Sequence, residues 1–111
     1  MTAEEKHKLL GDIIKYLRID EPIDSSESEM LMVLIDDGII FLNHYTGTQN
    51  NYSSGNARRL LKDFVRYAYN NASEYYESNF SEELGRLQWE EAVRDYQIKK
   101  TNNAEPKPPT Q

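Results

Sequence analysis

The sequence predicts an all-α fold, a compact bundle of about four helices with a flexible C-terminal tail. Apolar residues recur at helical spacing in four segments, and no segment shows the alternation that is typical of a strand. Three of the four prolines lie in residues 101–111, which hold no large apolar side chain. Because 111 residues suit one domain, we expect a helical domain over residues 1–98 and an extended or disordered tail over residues 99–111.

The first predicted helix covers residues 4–18. Thr2 and Glu5 have the spacing of a capping box, in which each side chain accepts a hydrogen bond from the backbone of the other. Pro22 ends the pattern, because the residue before a proline is pushed out of the helical region. The apolar stripe of this helix consists of Leu9, Leu10, Ile13, Ile14 and Leu17.

The second predicted helix covers residues 27–45 and is apolar almost all round, which is typical of a central helix. Ser26 and Glu29 offer a second capping box at its start. The acids that precede the helix favour the positive end of its dipole. Gly47 is a natural residue to end it, since glycine adopts the left-handed conformation readily.

Residues 47–55 are a loop by composition, and two further predicted helices follow it at residues 56–77 and 82–98. Alanines on the apolar stripe of the third helix allow a close approach by another helix. The tail is expected to act either as a solvated end of the chain or as a strap that becomes ordered on a partner.

Composition excludes several kinds of chemistry. The chain has no cysteine, which excludes disulfides, thiolate metal sites and thiol nucleophiles. Its two histidines, His7 and His44, lie in different predicted helices, and the adjacent acids Asp36 and Asp37 point about 100° apart on a helix. We therefore predict no enzyme and no catalytic, cofactor-binding or metal site.

No apolar run approaches the roughly 18 residues of a membrane span, so we expect a protein of the cytoplasm or of a particle assembled there.

Charge is segregated along the chain, whose net charge is −6. The overall acidity argues against a sequence-specific DNA reader, because phosphate contacts require a basic surface. A basic block opens the third helix, where cations oppose the helix dipole, so we expect acids elsewhere to compensate it. Opposite patches on two sides of a subunit would favour head-to-tail rings, and ordinary solvated faces are the alternative. The acidic residues are Asp20, Glu21, Asp24, Glu27 and Glu29, and the basic ones are Arg58, Arg59, Lys62 and Arg66.

Eight tyrosines are more than one small core holds. Tyrosine is common at protein interfaces, because its ring buries area while its hydroxyl stays hydrogen-bonded. Packing at the edge of the core is the other explanation. We take three aromatic residues and two lysines near the C-terminus as candidate interface positions: Tyr69, Tyr76, Trp89, Lys99 and Lys100.

Residues 60–96 (LLKDFVRYAYNNASEYYESNFSEELGRLQWEEAVRDY) resemble the head–tail connector, or adaptor, family of tailed bacteriophages. The same holds for YLRID at residues 16–20 and IIFLNHYTG at residues 39–47. The resemblance covers about residues 5–98. It implies a compact helical subunit of the virion that forms a ring, commonly dodecameric, beneath the portal protein. Such a ring extends the DNA channel and docks the next connector or tail-completion protein. Double-stranded DNA passes through it without sequence-specific binding, and no membrane is involved.

Other functions stay open at this point. A small acidic protein could inhibit a nucleic-acid-binding protein as a DNA mimic, although the basic block interrupts its acidic surface. A helix-turn-helix regulator has only that basic block in its favour. An enzyme would need a pocket with convergent polar groups, and the sequence shows none.

Overall fold

The computed structural model describes residues 1–104, with side chains up to residue 101. The predicted all-α class is confirmed, with five α-helices, a single 3₁₀ turn and no strand within these residues. The elements are α1 (Ala3–Tyr16), α2 (Ser25–Thr46), α3 (Gly55–Tyr69), the 3₁₀ turn (Ser73–Tyr75), α4 (Tyr76–Asn79) and α5 (Ser81–Ala104).

Helix α1 begins with the predicted capping box. The Glu5 amide donates to Thr2 Oγ1 at 3.1 Å, and the Thr2 amide donates to Glu5 Oε1 at 2.9 Å. These bonds lower the pKa of Glu5, because they favour its carboxylate form. The helix ends before the predicted residue 18, since Arg18 takes a positive φ of 59°.

Helix α2 begins earlier than predicted, at Ser25, and its cap is Asp24 rather than Ser26. Asp24 Oδ1 accepts a hydrogen bond from the Glu27 amide at 2.8 Å. At the other end, Gly47 has φ 74° in the left-handed region, and its amide donates to the Asn43 carbonyl. Helix α2 therefore ends at the glycine, where the sequence predicted its end.

The third predicted helix, residues 56–77, is wrong beyond Tyr69, because the structure breaks it at residues 70–72. Helix α3 ends at Tyr69 because Asn71 takes φ 56°, a left-handed conformation that asparagine tolerates better than most residues. The Ala72 amide then donates to the Tyr67 carbonyl at 2.8 Å, which closes the turn. The chain reverses here, and the 3₁₀ turn and α4 carry Tyr76 back onto α3.

Helix α5 continues to Ala104, beyond its predicted end at residue 98. The predicted tail therefore does not begin at residue 99, and the rest of it, residues 105–111, lies outside the described residues. No proline interrupts residues 99–104, and an ion pair between Lys99 and Asp95 one turn earlier, at 3.2 Å, supports the helix.

The core lies where α2 crosses α3, with α1 and α5 on either side. Gly38 of α2 permits the close crossing, because a Cβ atom there would stand 2.5 Å from Leu61 Cδ1 and 2.9 Å from Phe64 Cδ1. The residues buried most completely are Leu9, Ile13, Leu31, Ile35, Leu42, Leu60, Leu61, Val65, Tyr76 and Leu84.

Candidate docking surfaces

The basic block at the start of α3 connects α3 to α1 through an ion pair. Arg58 forms an ion pair with Asp12 of α1 and donates to the Tyr52 carbonyl at 3.0 Å. Arg59 is exposed and donates to Asn56 Oδ1 at 2.9 Å. Within the chain, the positive charge of Arg58 is therefore compensated by Asp12. It is not compensated by the acidic stretch, which is the group of acids in residues 20–29.

The second half of the block surrounds a buried acid. Asp63, only 7% exposed, accepts hydrogen bonds from the Tyr16 hydroxyl and from the Arg66 guanidinium, the latter at 3.3 Å. Lys62 Nζ lies 5.1 Å from the centre of the Tyr16 ring. Partial burial, followed by the bond to Asp63, raises the pKa of Tyr16. Sequence reasoning missed this cluster, whose only local signal is the spacing between Asp63 and Arg66.

The acidic stretch lies at the end of the molecule where α2 begins. Asp24 is used as a helix cap, and Glu27 Oε2 accepts a hydrogen bond from the Tyr69 hydroxyl at 2.9 Å. That bond raises the pKa of Tyr69, because it favours the protonated hydroxyl. Among the described residues, the exposed acids Asp20, Glu21 and Glu29 form no ion pair.

Tyr76 is a core residue, so its prediction as an interface position is wrong. It is 2% exposed, and its hydroxyl donates to the Leu60 carbonyl. Aromatic rings surround it, with the Phe64 centroid at 5.3 Å and the Phe80 centroid at 5.0 Å. The left-handed Asn71 explains the difference, because it turns the chain back over α3 and carries Tyr76 inward.

The outer face of α5 carries large exposed aromatic side chains. Trp89 is 67% exposed and Tyr96 is 64% exposed, two turns apart along the helix. Arg94 of α5 donates a hydrogen bond to the Gln49 carbonyl of the loop 47–55 at 3.5 Å. Residues 96–101, including Lys99 and Lys100, are all exposed. The last turns of α5 therefore expose Lys99 and Lys100, and Trp89 is exposed nearer the start of the helix; their role at an interface stays a prediction.

Helix α2, predicted as a central helix, leaves one face uncovered. Met30, Val33 and Ile40 are exposed, with Val33 at 57% and Ile40 at 67%. Their spacing places them on one stripe together with the exposed Asp37. The opposite side of α2 holds Leu31, Ile35 and Leu42 in the core. The sequence showed that α2 is apolar all round, but could not show that its neighbours cover only part of it.

A groove of about 810 Å³ runs between α1 and the loop 47–55. Its charged lining mixes acids with bases, among them Lys8, Asp12, Lys15 and Arg58. Asn50 Oδ1 is buried there and accepts no hydrogen bond from the described residues. The part of the chain that the structure describes contains no group of three acidic or histidine side chains placed to hold a metal ion.

Comparisons with protein-family models, curated proteins and solved structures find no match to this chain. None of the helices in residues 1–104 has both the length and the apolar character that crossing a membrane requires. The most prominent surface features are thus the two apolar stripes, on α2 and α5. Several large apolar side chains exposed along one helix face are a feature of sites where proteins dock.

Proposed function

We propose that the chain is a non-enzymatic head–tail connector subunit of a tailed bacteriophage. In this proposal it assembles as a ring under the portal protein in the virion, extends the DNA channel and docks the next connector or tail-completion protein. Its partners are copies of itself, the portal protein and that next component, and it needs no cofactor.

The observation that carries the proposal is the pair of apolar stripes on the outside of α2 and α5. Val33, Ile40, Trp89 and Tyr96 are all more than half exposed. Keeping such side chains in water costs free energy that contact with another protein recovers, at roughly 25 cal/mol for each Å² buried. Docking is therefore the activity that this surface supports best.

The charge distribution supports the channel part of the proposal. The net charge is −6, and Asp20, Glu21 and Glu29 are exposed. An acidic wall repels the phosphate backbone and lets DNA pass without binding. Much of the basic block is engaged with acids of the same chain, since Arg58 pairs with Asp12 and Arg66 with Asp63.

Co-sedimentation with purified portal rings tests the proposal. The portal protein encoded in the same genome is mixed with the chain and separated on a density gradient. We expect the chain to move into the portal fraction, and the double variant Trp89→Ala/Tyr96→Ala to bind less. The matched control is Tyr75→Ala, which removes an aromatic side chain of 57% exposure away from both stripes. A folded chain that stays at the top of the gradient contradicts the proposal.

A DNA mimic would behave differently in the same preparation. It would ignore the portal and bind a nuclease or polymerase in competition with DNA. The mixed charges along the groove between α1 and the loop 47–55 give that function no continuous acidic track.

A further inference from the structure

The two stripes have similar lengths only when the lysines are included. At a rise of about 1.5 Å per residue, the α2 stripe from Met30 to Ile40 extends about 15 Å. The apolar part of the α5 stripe, from Trp89 to Tyr96, extends about 10 Å, and Lys100 continues it to about 16 Å. Each is narrow, because its members recur at intervals of three or four residues. Ala92 lies between Trp89 and Tyr96 on the α5 stripe and leaves a shallow point where another helix can approach.

The stripes cannot cover each other within one chain. Helices α2 and α5 already contact each other through their inner faces, where Leu31, Ile35 and Leu42 of α2 and Leu84 and Leu87 of α5 are buried. The stripes lie on the outer sides of the same helices. A partner for either stripe must therefore come from another molecule.

The stripes differ in charge at one end, although residues 89–100 of α5 as a whole hold three acids and three bases. Acids accompany the α2 stripe, with Asp37 within it and Glu29 beside Met30 at its start. The α5 stripe ends in Lys99 and Lys100, and no acid occurs in residues 96–101. Of these lysines, Lys99 pairs with Asp95 of its own helix. At the lysine end of α5, charge complementarity thus favours contact with the acidic start of an α2 stripe over contact with a second α5 stripe.

We infer that the α5 stripe of one copy packs antiparallel against the α2 stripe of a second copy. In this arrangement Trp89 lies against Ile40, Tyr96 against Val33, and Lys100 beside Glu29. The antiparallel direction is the one that brings the lysines to Glu29 and to the acidic stretch before α2. A parallel arrangement would place them beside Ile40, away from these acids.

Such a contact joins two different surfaces, so each copy of a pair keeps one stripe free, and the pair as a whole presents one α2 stripe and one α5 stripe to further copies. Repetition of the contact generates a closed ring when the rotation between copies closes, and an open filament otherwise. The inference rests on the proposed function, since it names the surfaces through which copies in the ring meet. One helix stripe on each side makes a small interface, so single contacts are weak and dilute protein stays monomeric.

Cysteine cross-linking tests the pairing directly, because the natural chain has no cysteine. Val33→Cys and Tyr96→Cys are made as separate variants of the full chain, mixed without portal protein, and oxidised. The inference predicts a disulfide-linked dimer of the two variants in about tenfold excess over the control mixture of Val33→Cys with Tyr75→Cys, because docking raises the effective concentration of the thiols. Circular dichroism checks that each variant is folded.

Charge variants test the register. Lys99→Glu/Lys100→Glu in the Tyr96→Cys chain is expected to lower the yield of the mixed dimer, and Glu29→Lys in the Val33→Cys chain to restore it. Equal yields in the test and control mixtures overturn the pairing. A stronger cross-link between Trp89→Cys and Met30→Cys than between Trp89→Cys and Ile40→Cys overturns the antiparallel direction. If the chain sediments with the portal but does not form this cross-link, the pairing of stripes is wrong and the connector function stands. If the chain forms the cross-link but does not bind the portal, the connector function is wrong.

Discussion

The hydroxyl of Tyr76 donates a hydrogen bond to the backbone carbonyl oxygen of Leu60 at 2.7 Å, inside the core. The bond joins α4 to the middle of α3 across the reversal at Asn71. The Tyr76 ring packs against four other aromatic rings, which are those of Phe41, Phe64, Tyr67 and Phe80. This one side chain therefore connects the C-terminal part of the chain to the crossing of α2 and α3.

Replacing Tyr76 with phenylalanine keeps the ring and removes the hydroxyl. We expect the free energy of unfolding to fall by about 1–2 kcal/mol, because the Leu60 carbonyl is left buried without this hydrogen bond. Urea denaturation followed by circular dichroism measures the change. Tyr75→Phe is the control, since Tyr75 is exposed, and should stay within about 0.5 kcal/mol of the natural chain. Equal effects of the two substitutions would show that the hydrogen bond contributes nothing.

The same tyrosine predicts a loss of stability in alkali. Burial raises the pKa of Tyr76 far above the ordinary value of 10.0. The folded chain thus keeps a proton that the unfolded chain releases, so this contribution to stability is complete below pH 10.0 and is lost as the pH rises above it. We expect the free energy of unfolding of Tyr76→Phe to fall less steeply above that pH, by about 1.4 kcal/mol per pH unit. Parallel curves for the two chains would contradict the burial of an ionisable hydroxyl.

Replacing either of two helical glycines with alanine should change the stability of the fold, in opposite directions at the two positions. Gly38→Ala places a methyl group against Leu61 and Phe64, and overpacking of this kind costs about 1–3 kcal/mol. Gly11→Ala meets nothing within 4 Å and should stabilise α1 by about 0.5–1 kcal/mol, because alanine favours the helix. Thermal unfolding of both variants measures the difference. A gain in stability for Gly38→Ala would mean that α2 and α3 lie further apart than described.

Asn43 holds the loop 47–55 against α2. Its Oδ1 accepts hydrogen bonds from the Asn50 amide at 3.0 Å, from Asn50 Nδ2 at 3.1 Å and from the Tyr52 hydroxyl at 2.6 Å. Asn43→Ala leaves the Asn50 backbone amide without its acceptor, whereas Asn50 Nδ2 keeps Thr46 Oγ1 and the Tyr52 hydroxyl keeps the Ile39 carbonyl. The free energy of unfolding should fall by about 1–3 kcal/mol. Hydrogen exchange at the Asn50 amide should become faster. The control Asn79→Ala removes an exposed bond to Tyr67 and should change stability by less than about 0.5 kcal/mol.

The sequence predicted most of the helices because their signals are local. The Thr2 and Glu5 capping box and the left-handed Gly47 both appear at the predicted ends. The end of α3 was missed because the apolar pattern continues through the break, and the only local signal is the pair Asn70 and Asn71. The extension of α5 to Ala104 was missed because its last turns lack an apolar stripe.

The candidate surfaces were predicted less well, because burial depends on which elements meet. Trp89, Lys99 and Lys100 are exposed, and their place at an interface stays a prediction, whereas Tyr76 is buried because the chain reverses at Asn71. No local pattern indicated that Asp12 pairs with Arg58, since these residues lie on different helices. The exposed stripe of α2 could not be separated from its buried side without the positions of α1, α3 and α5.

Electron microscopy of purified portal rings mixed with an excess of the full chain tests the central claim most directly. The account predicts class averages in which a further ring covers one end of the portal, and its loss with Trp89→Ala/Tyr96→Ala but not with Tyr75→Ala. Portal particles that remain bare in the presence of folded natural chain would contradict the account.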